Sequence, residues 1–372
     1  MKVVVVGGGI IGCASALELA KGGAEVVLFE RATPGGEASS AAAGMLAALG
    51  GGPRTLFQDL AIESWRLYPE VAMELRERSG IDVELVRRGT MYPIFTAASL
   101  GLAELALPAP LAAEFGVRTL DAEETRKREP ALSPDVRGSL FVEGDHWVNN
   151  QRLVTAYAQA AVAAGTTLKI GTAVSRVVVS AGCARGVVAD GEEVGADVVL
   201  LAAGAWTGDV AASFGARLPV APSRGQMLAL AHVPPVLTHC VHGEEAYLVP
   251  RPSGELLVGA TVERVGFRRE VTAKGIGGLI AEAVLLVPAL GDRAITRTWC
   301  GFRPWAPDSL PILGPWPGLA GLFVATAHYR NGILLAPITA RLMAEWILKN
   351  EPSIPVPDFL PDRFLSRAAP RL

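Results

Sequence analysis

The chain has 372 residues, 50% of them hydrophobic and 19% charged, enough to bury the core of one elaborated domain or two. Its 34 Lys and Arg stand against 37 Asp and Glu, and the net charge of −3 argues against a nucleic-acid partner. Four scattered cysteines, Cys13, Cys183, Cys240 and Cys300, argue against a disulfide framework and for a reducing compartment.

Lys2 to Val6 is an apolar, β-branched run that predicts a buried parallel strand. With Val3 already in the fold, no signal peptide is expected. Gly7-x-Gly9-x-x-Gly12 makes the next turn: Gly7 permits the bend, Gly9 lets a pyrophosphate approach the backbone, and Gly12 lets the following helix pack closely. That helix runs from about Ile10 to Lys21, and its N-terminal N–H groups face the phosphates. Ala24 to Phe29 is a second strand. Glu30 closes it with a carboxylate that can accept hydrogen bonds from a ribose. The order of these parts predicts a dinucleotide-binding unit.

From Glu37 to Gly52 small residues dominate, either for close approach to a bulky ligand or as a loop leading into a helix. Leu56 to Ser79 is helical, Val83 to Ile94 reads as strands, and Phe95 to Asp135 carries polar helical segments without a chemical signature. Asn150 to Ala164 is helical, with Asn149 or Asn150 as its cap. Strand-like runs follow at Thr172–Val179, Gly186–Ala189 and Asp197–Leu201. Ala202 to Trp206 reads as a buried strand breaking into a glycine turn, against a cofactor or as an ordinary connection. Between Arg224 and Arg303 alternating strands dominate, at Gln226–Ala231, Ala246–Pro250, Glu255–Gly259 and Ile295–Gly301, interrupted by one helix near Thr272–Leu286. This predicts an antiparallel sheet with a helix on one face. Gly321 to Ala327 returns to a buried strand, and Gly332 to Asn350 is a long apolar helix. The charge-free stretch Ser309–Tyr329 is broken by Pro311, Pro315 and Pro317 and is not one membrane-spanning helix.

Three segments combine polar side chains with apolar surroundings. Arg303 sits among Trp299, Phe302 and Trp305; it either grips a substrate carboxylate or stacks on an aromatic face, and the spacing favours neither. Arg330, between a strand and a helix, either meets a ligand or pairs with an acid. Tyr247 either donates its hydroxyl to a carboxylate or is a core tyrosine. The Asn331-Gly332 turn opens a helix whose positive end can stabilise negative charge. His239-Cys240-x-His242 faintly suggests a metal site, but no further His/Cys cluster accompanies it, so a structural role and no metal are expected. The Glu244-Glu245 pair reads by default as a solvated loop.

Taken together, Gly7–Gly12 with Glu30, Ser39–Met45, Ala202–Trp206, Tyr247–Arg251, Leu256–Thr261, Gly301–Pro304 and His328–Pro337 resemble the flavin-dependent amine oxidases related to D-amino acid oxidase, above all the glycine oxidase branch. The resemblance covers nearly the whole chain. It implies an α/β fold: a Rossmann-like FAD-binding domain formed by 1–85, 143–225 and 304–372, with an inserted α+β, antiparallel-sheet substrate domain formed by 86–142 and 226–303. It implies non-covalent FAD, hydride transfer from the α-carbon of a small amine or D-amino acid to flavin N5, oxygen reduced to hydrogen peroxide, and an imine for thiamine thiazole synthesis. A dehydrogenase using another electron acceptor, or a non-catalytic nucleotide-binding module, are the rival readings. On this resemblance Arg303, helped by Tyr247, binds the substrate carboxylate and Arg330 lies beside substrate and flavin. The cofactor is expected to meet Gly7, Gly9, Ile10, Ile11, Gly12, Glu30, Arg31, Ser39, Ser40, Ala43, Gly44, Met45, Val174, Ala203, Gly204, Trp206, His328, Arg330, Asn331, Gly332 and Ile333. Two departures stand out. Glu245 replaces the histidine that the glycine oxidase pattern carries two residues before the tyrosine, and Cys300 precedes Gly301, where a buried, inert thiol is expected. A cytoplasmic homo-oligomer without membrane partner completes the expectations.

Overall fold

The computed structural model describes residues 1–49, 55–96 and 109–364. Strand Lys2–Val6, helix Ile10–Lys21 and strand Glu25–Glu30 open the chain as predicted. They belong to a six-stranded sheet in the order Ile312–Pro315, Leu322–Thr326, Val198–Leu201, Lys2–Val6, Glu25–Glu30, Thr167–Ile170. Pairing is parallel except between the first two. A parallel sheet needs both faces covered, and the first strand shows how. Val3 and Val5 point into one core with helices Ile10–Lys21, Leu56–Ser79, Asn150–Ala163 and Gly332–Lys349. Val4 and Val6 point into another, closed by the antiparallel ribbon Val174–Ser180, Cys183–Ala189 and Glu192–Gly195. Each of these valines is at most 4% exposed, and burial of each contributes about 1.5–3 kcal/mol.

The second sheet has eight strands, ordered Ile295–Trp305, Ala221–Ala231, Glu255–Gly259, Tyr247–Pro250, Cys240–His242, Thr90–Ile94, Gly138–Val142 and Val117–Asp121. Only Cys240–His242 against Thr90–Ile94 is parallel. The two-residue alternation sorts its faces. Leu228, Leu230, Leu248, Leu256 and Val258 meet helix Ala273–Leu286 through Leu279, Ala283 and Leu286. Met227, Ala229, Val249 and Leu257 face the other way, toward Ala43 and Trp147. Thr272 starts that helix by accepting from Gly275 N.

Some local expectations are corrected. Of Val83–Ile94 only Thr90–Ile94 is a strand, because Glu84 (φ 53°) and Gly89 (φ 80°) turn the chain before it. Within Phe95–Asp135, helices Ala109–Glu114 and Ala122–Arg128 flank strand Val117–Asp121, which the polar pattern concealed; residues 97–108 lie outside those described. Asn149, not Asn150, caps helix Asn150–Ala163 by accepting from Arg152 N. The proline-rich Ser309–Tyr329 stretch holds edge strand Ile312–Pro315. Among the described residues no helix is long and apolar enough to cross a membrane.

Candidate active site

A cavity of about 800 Å³ lies between the carboxyl ends of the parallel strands and the face of the antiparallel sheet turned toward them. At its first end Gly7 bends the chain at φ 107°, and a side chain there would overlap the carbonyl of Ala202. A side chain on Gly12 would overlap the Gly7 carbonyl, so Gly12 is fixed by the turn beneath the cavity rather than by the cavity itself. Gly9 differs. A Cβ there would meet only Ser39 Oγ, at an ordinary 3.5 Å, so no protein neighbour explains the missing side chain, while the residue faces the cavity. Helix Ile10–Lys21 has no acid in its first turn and no side-chain cap on Gly9, leaving a positive end for an anion. Glu30 accepts from Gly8 N at 2.8 Å and Ala32 N at 2.9 Å, which hold its carboxylate at the cavity wall. These features fit a bound dinucleotide.

The opposite end is built from side chains. Across the antiparallel sheet, register places His242, Tyr247, Gly259, Met227 and Trp299 in one row on five strands. A side chain on Gly259 would crowd the Tyr247 hydroxyl and Met227, so the glycine lets Tyr247 lie flat over the row. On the neighbouring row Gly225 pairs with Gly301. Any Cβ on Gly225 would overlap the Arg303 guanidinium, and one on Gly301 would overlap Ala41 of helix Ala38–Ala41. Glycine at 225 thus makes room for the arginine. Arg303 Nη1 donates to Thr261 O at 2.9 Å, and the guanidinium also bonds the Tyr247 hydroxyl. Burial, with the Arg330 cation nearby, depresses its pKa below the usual arginine range, although Tyr247 and Tyr329 act in the opposite direction.

Contacts bear on the alternatives left open by the sequence. The aromatics beside Arg303 are each covered by another arginine: Trp299 by Arg297, Phe302 by Arg269 and Trp305 by Arg264. Arg303 itself faces the cavity. Arg330 also lines it and forms no ion pair among the described residues. The backbone around it is strained: Ala327 (φ 58°) and Tyr329 (φ 50°) are left-handed without being glycine, and they deliver Arg330 and the start of helix Gly332–Lys349 to the cavity.

One buried tie joins the two ends. Arg251 stacks over Trp147 and donates to Val148 O at 2.9 Å, Ala43 O at 2.6 Å and Asn150 Oδ1 at 3.2 Å. Asn150 donates in turn to Ser39 O at 2.7 Å, and Ser39 Oγ accepts from Ile10 N at 3.0 Å. The segment carrying Ala43, Gly44 and Met45 is thereby fixed between the sheets.

Of the residues singled out in the sequence, Gly7, Gly9, Ile10, Ile11, Glu30, Arg31, Ser39, Ala43, Gly44, Met45, Val174, Ala203, Gly204, Trp206, Tyr247, Arg303, His328, Arg330, Asn331, Gly332 and Ile333 line this cavity. Gly12 and Ser40 do not; Ser40 borders a separate polar cleft and its carbonyl accepts from Asn150. The His328 ring turns away from the cavity to Thr339 Oγ1 at 3.0 Å, and burial lowers its pKa to about 3, so it stays neutral. Cys300 is half-buried rather than buried, and its thiol donates to Arg269 O. Glu245 is exposed, away from the cavity.

Sequence reasoning missed Tyr92 and Gly225 and gave His242 only a structural role. The metal-like triplet is split by the fold: His239 contacts Glu129, Cys240 is buried with its thiol pushed up to about 12, and His242 lines the cavity. The signal was the alternation of strand Cys240–His242, too short to read without its partners.

Residues 2–346 match the family model described as FAD dependent oxidoreductase, DAO. The chain is 37% identical over 380 residues to a bifunctional protein ThiO/ThiG of Synechocystis sp., covering 99% of this chain but spanning only about half, 55%, of that relative. It is 36% identical over 372 residues to a glycine oxidase of Geobacillus kaustophilus, covering 98% of this chain and 97% of the other. The crystal structure of a glycine oxidase from that organism superposes with a TM-score of 0.88 and 35% identity, over 96% of this chain and 97% of that one.

Proposed function

The chain belongs to the DAO family of FAD-dependent oxidoreductases, and on that premise we propose that it oxidises glycine, or another small amine or D-amino acid, with dioxygen as electron acceptor. FAD, held by the glycine turn and Glu30, would supply the redox chemistry: acceptance of a hydride from the α-carbon and reduction of dioxygen to hydrogen peroxide. The imine product then adds water and releases ammonia and the oxo acid.

The observation that carries this reading is the freed Arg303. It is half-buried, excused from aromatic stacking by three other arginines, given space by Gly225, bonded to Tyr247, and turned into the cavity. A planar guanidinium in that setting accepts a carboxylate bidentately with little competition from water. Arg330 adds a second cation, so the carboxylate of an amino acid is held at this end of the cavity. Near-apolar walls from Met227, Tyr92 and Ala47 favour the neutral amine, the form that can lose a hydride. Holding the reactants in place is the protein's part, with no acid–base pair required.

The ThiO part of the bifunctional relative supports delivery of the imine to thiazole synthesis. The proposal also divides the chain into an FAD-binding part, 1–85, 143–225 and 304–372, and a substrate part, 86–142 and 226–303; the two separate sheets support it, with strands Ala221–Ala231 and Ile295–Trp305 of the second sheet running across the boundaries. Four free cysteines support a reducing, cytoplasmic setting.

The test is a visible spectrum of the purified protein, then anaerobic titration with glycine, sarcosine and D-alanine, then peroxide measured in air. Bleaching by one of them and stoichiometric peroxide are expected. A yellow protein that reduces an artificial dye but consumes no oxygen would make it a dehydrogenase.

A further inference from the structure

His242 stands in the substrate end of the cavity with a fixed orientation. Its ring lies 5.3 Å from Tyr92, nearly parallel at 25°, and 6.0 Å from Tyr247 on the facing strand. Tyr92 is itself anchored, donating its hydroxyl to Asp145 Oδ2 at 2.8 Å. His242 Nδ1 lies 2.8 Å from the Gly243 carbonyl. A carbonyl only accepts, so Nδ1 carries the proton and Nε2 is left as a bare lone pair. Among the described residues nothing donates to that Nε2.

The groups around it are Tyr92 with Asp145 behind, Tyr247, and the cations Arg330 and Arg303. Two cations serve a carboxylate and have no lone pair for an amine N–H, and the Tyr247 hydroxyl oxygen already accepts from Arg303. Glu245, at the position where the family pattern has its histidine, points to solvent and cannot serve either. Resting on the functional reading above, we propose that Nε2 of His242 is the acceptor for the substrate's amino N–H, and that it orients the amine while Arg303 holds the carboxylate. Burial, with Arg330 adding to it, lowers the histidine's pKa, so the ring remains an acceptor at neutral pH.

The experiment compares wild type with His242→Leu and His242→Gln, whose amide oxygen restores an acceptor. Flavin absorbance verifies folding. KM for glycine is measured beside the inhibition constant of acetate, which has the carboxylate and no amine. The expected result is a rise in KM of about tenfold in His242→Leu, recovery in His242→Gln, and acetate affinity within about twofold in both. On acidification below the depressed histidine pKa, KM for glycine should climb more steeply in wild type than in either variant, which register only the loss of free amine, while acetate affinity does not weaken in step. Equal KM in all three proteins, or parallel losses for glycine and acetate, overturns the inference while leaving the oxidase reading intact. A wild-type protein that oxidises no small amine overturns both.

Discussion

The two ends of the cavity use different materials. The dinucleotide end is made by backbone: Gly7 at positive φ, the N-terminus of helix Ile10–Lys21, and Glu30 held by two amides, all within one short stretch of chain. The end we propose for the substrate is made by side chains brought together from Tyr92, Met227, His242, Tyr247, Arg303 and Arg330. Backbone recognition serves any dinucleotide, because every chain has the same amides. Side-chain recognition selects one substrate, because changing one residue changes the pocket.

The contrast can be broken in graded ways. The largest effect is expected from Gly12→Ala, whose methyl would overlap the Gly7 carbonyl. It should cost about 3 kcal/mol and strip the flavin, read as lost absorbance and a lowered Tm. Full flavin content would show that the turn tolerates rearrangement. Next, Arg303→Met should keep its flavin but lose about 10³-fold in kcat/KM for glycine, roughly 4 kcal/mol, the scale of an uncompensated buried carboxylate. Loss of flavin together with activity would mean that the two ends are not separable. Gly225→Ala is milder: its methyl displaces the guanidinium, so KM should rise about 10–100-fold with flavin affinity unchanged.

The smallest effect concerns Asp145, whose burial raises its pKa to about 7 while Tyr92 and Thr90 pull weakly the other way. A carboxyl with a raised folded pKa contributes stability that is full below its unfolded value, near 4, and is lost as pH rises through about 7. Between pH 5 and 8 wild type should lose some Tm that Asp145→Asn does not lose. Identical slopes would place the proton elsewhere.

The same contrast explains what could be read from the sequence. The turn, Glu30 and the helix Leu56–Ser79 were legible because local periodicity and spacing carry them. Arg303 was visible as a candidate but not resolvable, because the three arginines that relieve it of its aromatic neighbours lie 6 to 39 residues away in the chain and only the fold pairs them. His242 was noticed only within a metal-like triplet, and Tyr92 not at all, because their adjacency depends on a parallel pairing of strands separated by almost 150 residues. Gly225 was not seen because a glycine in a strand has no meaning until the side chain filling its space is known.

The order of strands in the six-stranded sheet also sets a timetable. Val198–Leu201 is flanked by Lys2–Val6 on one side and by Leu322–Thr326 on the other, so its second edge stays bare until the last partner has been synthesised. At roughly 5–20 residues per second, translation of 202–321 takes on the order of ten seconds. Until then the residues of Val198–Leu201 lack the partner that completes their hydrogen bonds in the finished sheet.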